Sequence, residues 1–278
     1  MKRSLRRKYT KTFVYFILIF LSIVIAFPFV WLTITAFKSY PDIYAYPIRY
    51  LPTQPTMEHF EKISSMQFGV YLKNSIIVGF GTMILSILIA LFPAYAFSRY
   101  RFRGKGLLIL TVLFLQMFPQ VVFLVPMFKF LGAVGGLDTY WGIILSYLPF
   151  TTPISIVFLR SFFIGVPKSL EEAAMIDGCS RTKAFIKVIF PVTLPGIAAV
   201  GIYAFLFSWQ ELMYSMSILL SKSHQTLPVF LSLFIGQYQT RWGPLFAGSV
   251  ISTLPPLIIF MVLQRYFISG LVSGAVKE

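Results

Sequence analysis

Residues capable of acid–base, metal or redox chemistry are few in this sequence of 278 residues. It contains nine Asp and Glu residues, two histidines and one cysteine. His59 and His224 are far apart, and the lone Cys179 excludes an internal disulfide and a cysteine metal cluster. Gly104-Lys105-Gly106 is the nearest approach to a phosphate-binding loop, but it lacks the upstream glycine and the following hydroxyl. We therefore expect no catalytic residue, metal or cofactor in this chain.

Buried charge is also scarce. Carriers driven by protons or sodium commonly place several carboxylates or histidines in the membrane as coupling sites. Here Glu211 is the one carboxylate near a long apolar stretch. If the chain transports anything, its energy is expected to come from another chain.

A polar loop at 160–193 carries the most informative pattern. Ser169 and Glu172 have the spacing of a capping box, and Asp177-Gly178 is a helix stop. A second short helix follows, so we predict a helical hairpin. Ala173-Ala174 leaves little side-chain bulk, which would let a partner surface approach the backbone. From the residues alone, a solvated loop whose alanines merely favour helix is equally consistent.

The elements that position this loop are apolar helices. With 57% hydrophobic and 12% charged residues, the chain cannot bury its apolar surface as a soluble protein of this size. A helix needs about 20 apolar residues to cross a bilayer. Prolines within two of the stretches do not exclude spans, because neighbouring helices can satisfy the freed carbonyls. We predict an all-α membrane protein with six transmembrane helices, at about 13–37, 75–98, 106–128, 140–159, 194–214 and 242–264.

Basic residues set the predicted orientation. Most of the 24 Lys and Arg residues fall at the termini and in the loops on one side, which the positive-inside rule makes cytoplasmic. We therefore expect a cytoplasmic N-terminus at 1–12, a cytoplasmic hairpin between spans four and five, and a cytoplasmic tail at 268–278. The net charge of +15 lies in short loops that flank spans, which does not indicate nucleic-acid binding.

Motifs in and around the loop resemble a known family. Glu172-Ala173-Ala174, Asp177-Gly178 and Phe190-Pro191, at this spacing, resemble the loop that defines the membrane subunits of bacterial ABC importers. Val188 and Phe190 stand where isoleucine and leucine are commoner. Further passages, including 71–75, 94–105 and 264–277, are similar to carbohydrate permeases, in particular the smaller membrane subunit of the maltose importer.

This resemblance implies a set of partners and a location in the bacterial inner or cytoplasmic membrane. The transmembrane domain, 13–267, would pair with a homologous second permease subunit. Two copies of a cytoplasmic ATPase would bind ATP and Mg, and an extracytoplasmic binding protein would deliver sugar. The tail would reach toward the ATPases. The implied ATPase-coupling residues are Glu171, Glu172, Ala173, Ala174, Asp177 and Gly178.

Sugar recognition would use amides or carboxylates for hydroxyl groups and aromatic faces for the sugar ring. The same residue types also form cross-helix hydrogen bonds and interfacial anchors, so a structural role is open for each. One departure from the family is Trp209-Gln210-Glu211, where the family commonly has asparagine in the middle. The candidates for the substrate pathway are Asn74, Gln116, Tyr147, Trp209, Gln210, Glu211 and Tyr214.

Three alternatives remain open from the sequence. The shared docking loop would also suit a permease for peptides or another polar solute, although the similarity of 264–277 to carbohydrate permeases argues against it. An ion-gradient carrier acting alone would need more intramembrane charge. A membrane scaffold without a pathway is disfavoured by the proline-interrupted spans.

Overall fold

The described part of the chain is helical. The computed structural model describes the backbone of residues 2–275 and the side chains of 11–264 and Tyr266. An isolated bridge pairs Ile235 with Thr240. A π-helical segment, Phe185–Ile189, interrupts the series. The α-helices are α1 Lys2–Ala36, α2 Tyr40–Ile43, α3 Glu58–Ser65, α4 Phe68–Arg99, α5 Lys105–Leu115, α6 Gln120–Ala133, α7 Tyr140–Gly165, α8 Lys168–Ile176, α9 Arg181–Ala184, α10 Phe190–Val192, α11 Leu194–Gln210, α12 Met213–Ile218, α13 Leu227–Ser232 and α14 Trp242–Ala275.

Four helices are long and apolar enough to cross a membrane: α1, α4, α7 and α14. Two further pairs pass the same test but are bent, α5 with α6 by 92° and Arg181–Val192 with α11 by 72°. The described residues therefore offer four spans, or up to six if each bent pair is one span. Helices α7 and α14 continue through their internal prolines, as expected from the sequence.

The predicted span at 106–128 is not one continuous helix. It is broken after Leu115, and α6 begins only at Gln120. Pro119 precedes α6 with extended backbone, φ −58° and ψ 132°. Proline has no N–H to continue a helix and disfavours helical backbone in the residue before it, which explains the break. Pro126, by contrast, is accommodated inside α6.

The chain forms two compact units. One comprises the chain up to Phe68 with Leu231–Leu254, and the other comprises Gly69–Phe230 with the chain from Pro255 onward. The apolar window of α1 lies in the first unit, and none of it is buried within the protein. The side chains of the predicted tail, 268–278, lie outside the described residues, although α14 itself continues to Ala275.

In the first unit, an ionic cluster around buried Asp42 orders the segment after α1. Asp42 accepts hydrogen bonds from the backbone and hydroxyl of Thr53 at 2.9 and 2.7 Å, and Arg49 donates to it at 2.6 Å. These bonds, the Thr53 pair first, lower the pKa of Asp42 from 3.8 to about 2. The Lys38 ammonium donates to the Arg49 carbonyl at 2.7 Å. The backbone carbonyl of Lys38 is 2.8 Å from Nε2 of buried His59.

In the second unit, two apolar clusters hold the helices that carry the candidate residues. The first cluster joins α4, α7, the π-helical segment and α11, with Leu159, Phe163 and Ile189 fully buried. The second joins α4, α6, α7 and α12 around Tyr147 and Tyr214. Helices α4 and α11 approach closely, because a Cβ added at Gly79 would lie 2.6 Å from the Phe205 ring.

Candidate coupling loop and pathway residues

Helix α8 begins earlier than the capping-box pattern predicts. Pro167, with φ −56° and ψ 136°, is the N-cap and makes no side-chain cap hydrogen bond. Ser169 therefore lies inside the first turn, so the predicted capping box is wrong. Proline is well suited to the extended backbone that precedes a helix, and this starts α8 at Lys168. At the other end Gly178 has φ +86°, a conformation that only glycine adopts readily.

The chain then turns back through α9 and the π-helical segment. Ser180 is the N-cap of α9, and its hydroxyl accepts a hydrogen bond from the Lys183 amide at 3.4 Å. The serine, asparagine or aspartate that caps a helix is a recognisable sequence signal. Here that signal was Ser180 rather than Ser169.

The two neighbouring glutamates of α8 differ in burial. Glu172 is exposed, whereas Glu171 is 5% exposed and lies against the end of α4. Tyr95 donates a short hydrogen bond to Glu171 Oε1. Arg99 Nε lies 3.2 Å from Glu171 Oε2, and Arg181 Nε lies 3.8 Å from Oε1. Glu171 thus connects α8 with α4 and α9.

A small cavity of about 190 Å³ opens beside this ion cluster. The Arg181 guanidinium donates to the Tyr100 hydroxyl at 3.0 Å and lies over its ring. The hydrogen bond to Tyr100 raises the pKa of Arg181, so this side chain is charged at any physiological pH. The cavity is lined by Arg99, Tyr100, Lys168, Glu171, Glu172, Met175 and Arg181.

The other predicted coupling residues are split between surface and interior. Ala173, Asp177 and Gly178 are exposed, whereas Ala174 is 8% exposed. The outward face of α8 therefore presents Glu172 and Ala173, together with the exposed side chains of Leu170 and Ile176.

Glu211 lies at a break between α11 and α12. Its Oε1 accepts the Tyr214 amide at 2.9 Å, and its Oε2 accepts the Ser215 amide at 3.1 Å. Tyr147 donates its hydroxyl to Oε2 at 2.8 Å. The amides at the start of a helix have no partner within that helix and favour a negative charge. Glu211 therefore caps α12, and the predicted span 194–214 contains this interruption.

Of the predicted pathway residues, Tyr147 and Tyr214 contact Glu211 at this break. Tyr214 donates its hydroxyl to the Gln120 carbonyl at 2.9 Å. Trp209 is buried with its ring stacked on Phe205, 5.2 Å between centroids. Gln116 donates to the Phe150 carbonyl at 3.3 Å.

Asn74 has a different set of contacts. It donates to the carbonyls of Ser223 and Gln225 at 2.9 and 2.8 Å and accepts the Tyr140 hydroxyl at 2.6 Å. All three of these bonds use the polar atoms of a buried amide. Asn74 therefore anchors the loop before α13, a role that its position at the start of an apolar stretch did not reveal.

A cavity of about 440 Å³ lies beside the α11–α12 break. Gln210 is exposed at its edge, and Gln120 contributes a second amide that was missed from the sequence. The only available signal for Gln120 was its occurrence, like Gln116, within a long apolar run. The lining consists of Gln120, Phe207, Gln210, Glu211, Leu212 and Met213.

Comparisons with known proteins agree on one family. The family described as binding-protein-dependent transport system inner membrane component matches residues 86–273. The trehalose/maltose transport system permease protein MalG of Thermococcus litoralis is 35% identical over 263 residues, which cover 93% of this chain and 94% of that protein. The diacetylchitobiose uptake system permease protein DasC of Streptomyces coelicolor is 35% identical and covers 91% and 92%.

Solved structures show the same fold. A chain of a bacterial ABC transporter involved in the import of the acidic polysaccharide alginate superposes with a TM-score of 0.77 and 21% identity. The superposition covers 94% of this chain and 97% of that chain. The chain therefore shares its overall helical fold with a chain of a bacterial ABC transporter.

Proposed function

Because this chain belongs to the family of binding-protein-dependent transport system inner membrane components, we propose that it is a permease subunit of an ATP-binding-cassette importer for an oligosaccharide. It forms half of the translocation pathway and is a multi-pass membrane protein. The observation that carries the proposal is its 35% identity to a trehalose/maltose permease over more than nine-tenths of both chains.

The proposed topology has six spans, in which α5 and α6 together form the third span and α11 begins the fifth. Both termini and the α8–α9 hairpin are then cytoplasmic, in agreement with the distribution of basic residues. This arrangement places 1–12 and 268–278 on the side of the ATPases and leaves 13–267 as the transmembrane domain. The membrane is the bacterial inner or cytoplasmic membrane.

The energy source in this proposal is a partner ATPase. Two copies bind ATP and Mg, and a homologous second permease completes the pathway. Helix α8 is short, and its exposed face carries Glu172 and Ala173. Because the Ala173 side chain is small, a partner surface can approach the backbone there, which suits docking. The binding protein implied by the family's description delivers the solute on the opposite side.

The substrate class follows from the relatives. Two relatives with similar identity over nearly their whole length are named for trehalose or maltose and for diacetylchitobiose, all of which are carbohydrates. The peptide alternative has no such support. Within this chain, the exposed amides beside the α11–α12 break, Gln120 and Gln210, are the best placed to meet sugar hydroxyls.

Transport in this proposal is a population shift between inward-open and outward-open states. ATP binding closes the two ATPases, α8 moves with them, and the paired permeases change state. A ligand can shift such an equilibrium only by its difference in affinity for the two states. ATP and the sugar-loaded binding protein must therefore both favour the outward-open state.

The decisive experiment is reconstitution of this chain with its partner permease, the ATPase and the binding protein in vesicles. ATP hydrolysis and solute accumulation are measured with a panel of oligosaccharides and with peptides as the comparison. Stimulation of hydrolysis and accumulation by a sugar support the proposal and identify the substrate. Stimulation by peptides alone would retain the importer and remove the carbohydrate assignment.

A further inference from the structure

We propose that Glu171 is the positioning residue that locks α8 to the cytoplasmic end of α4, so that a displacement of α8 is delivered to α4. In this division of roles, Glu172 alone of the two glutamates meets the partner. The inference rests on the proposed function for the origin of the displacement, but the lock itself is a property of this chain.

The geometry of Glu171 supports this role. Tyr95 and Arg99 are four residues apart and therefore share one face of α4. Tyr95 donates to one oxygen of the Glu171 carboxylate, and Arg99 lies 3.2 Å from the other. Arg181 approaches from α9 at 3.8 Å. One carboxylate thus contacts α4 at two points and the second arm of the hairpin at a third.

Arg99 makes the lock dependent on charge. Its side chain is 7% exposed, and its Nη1 donates to the Val166 carbonyl at 3.0 Å, just beyond the end of α7. Its Nε and Nη2 are buried without a hydrogen-bond partner among the described residues, so the ion pair with Glu171 compensates the guanidinium charge. Removing one member of a buried ion pair leaves an uncompensated charge, which strongly destabilises the arrangement.

Apolar packing around Tyr95 prevents the Glu171 contacts from moving independently of α4. The Tyr95 ring lies 4.7 Å from the Phe185 ring and 5.8 Å from the Phe163 ring, measured between centroids. Close-packed interiors transmit displacement rather than absorb it. A shift of α8 without α4 would require the Tyr95 and Arg99 contacts to break inside this cluster. Glu172 is exposed, so its replacement should leave the Tyr95 and Arg99 contacts with Glu171 intact.

Spin-label distances in the assembled importer test this inference. The single native cysteine, Cys179, is half-buried in the turn after α8, and Ser98→Cys supplies a second label in the last turn of α4. We expect the same narrow distance distribution in the nucleotide-free state and in the ATP-bound state. Glu171→Gln should broaden the distribution and make it depend on nucleotide, whereas Glu172→Gln should leave it narrow.

A wild-type distance that changes between the two states would overturn the proposal, as would a Glu171→Gln distribution as narrow as that of the wild type. If Glu171→Gln fails to accumulate, Tyr95→Phe removes one contact with α4 and retains the ring. This variant should broaden the distribution to a lesser degree, and an unchanged distribution would count against the lock.

The coupling ratio provides a second readout. In vesicles, Glu171→Gln should retain bound ATPase but move at least about fivefold less solute per ATP, the lower end of typical coupling between sites. Loss of ATPase binding in this variant would instead assign Glu171 to the partner interface and overturn the proposal. If the wild-type importer moved no sugar, the proposed substrate would be wrong, while the label distances would still decide on the lock.

Discussion

Replacement of Glu211 by alanine should loosen α12. The carboxylate accepts the amides of Tyr214 and Ser215 and the hydroxyl of Tyr147. The Tyr147 hydroxyl keeps a second partner, the Ser215 hydroxyl at 2.8 Å, so the main loss is the helix cap. Losing a cap costs about 0.5–2 kcal/mol. Because one bond also involves a buried tyrosine, we expect a value near the upper end, about 2 kcal/mol.

Amide hydrogen exchange measures this loss locally. A change of about 2 kcal/mol corresponds to roughly 30-fold faster exchange of the α12 amides if they exchange by local opening. Glu211→Gln retains one acceptor oxygen for these amides, so about 1 kcal/mol and roughly fivefold faster exchange are expected. Gln210→Ala is the matched control, because Gln210 is exposed and is not the cap.

The result that refutes this reasoning is specific. If Glu211→Ala abolishes transport but leaves exchange across Met213–Ile218 at the wild-type rate, Glu211 acts on the substrate and is not the cap. If exchange accelerates while Glu211→Gln still transports, the cap explanation holds. The two roles predict opposite results for the same pair of variants.

Three further predictions concern other parts of the chain. Replacing Ala173 with tryptophan should hold a partner surface away from α8 and lower solute moved per ATP hydrolysed; normal coupled transport in reconstituted vesicles would contradict the docking assignment. Since its hydrogen bonds lower the pKa of Asp42 to about 2, their stabilisation is complete above about pH 4 and is lost as the pH falls toward 2. Exchange rates of the segment after α1 should rise across that window, and rates that stay constant would show that Asp42 does not order it. Gly79→Ala should cost about 1–3 kcal/mol, because the added Cβ would lie 2.6 Å from the Phe205 ring. It should lower the thermal unfolding midpoint relative to Gly69→Ala, whose added Cβ meets nothing within 4 Å, and equal midpoints would contradict the packing.

The all-helical class and the approximate positions of the long helices along the chain were predictable from the sequence, because both depend on long apolar runs. Each of the six predicted stretches overlaps helix, although the third is divided between α5 and α6 and the fifth between α11 and α12. The break before α6 was missed, although Pro119 was visible, because proline also occurs inside α6, α7 and α14 without breaking them. Whether a proline bends or ends a helix depends on what its neighbours supply, and an apolar run does not contain that information.

The directions of individual side chains were not predictable. Glu171 and Glu172 are adjacent and chemically identical, and successive residues on a helix point about 100° apart. Which of them faces inward depends on Tyr95 and Arg99, more than 70 positions away in the sequence. Asn74 likewise bonds carbonyls at Ser223 and Gln225 that only the fold brings near. Long-range pairings of this kind decide whether a polar residue in a span is structural or lines a pathway.

The full exposure of the apolar window of α1 has a consequence for how the protein is made. Helix α1 is synthesised before the other described helices, and none of that window, within Lys11–Ala36, is buried by them. It can therefore enter the lipid as an independent segment while the rest is still being synthesised. Helix α4, with 39% of its window buried, and α7, with 56%, reach their final surroundings only after their partner helices have been inserted.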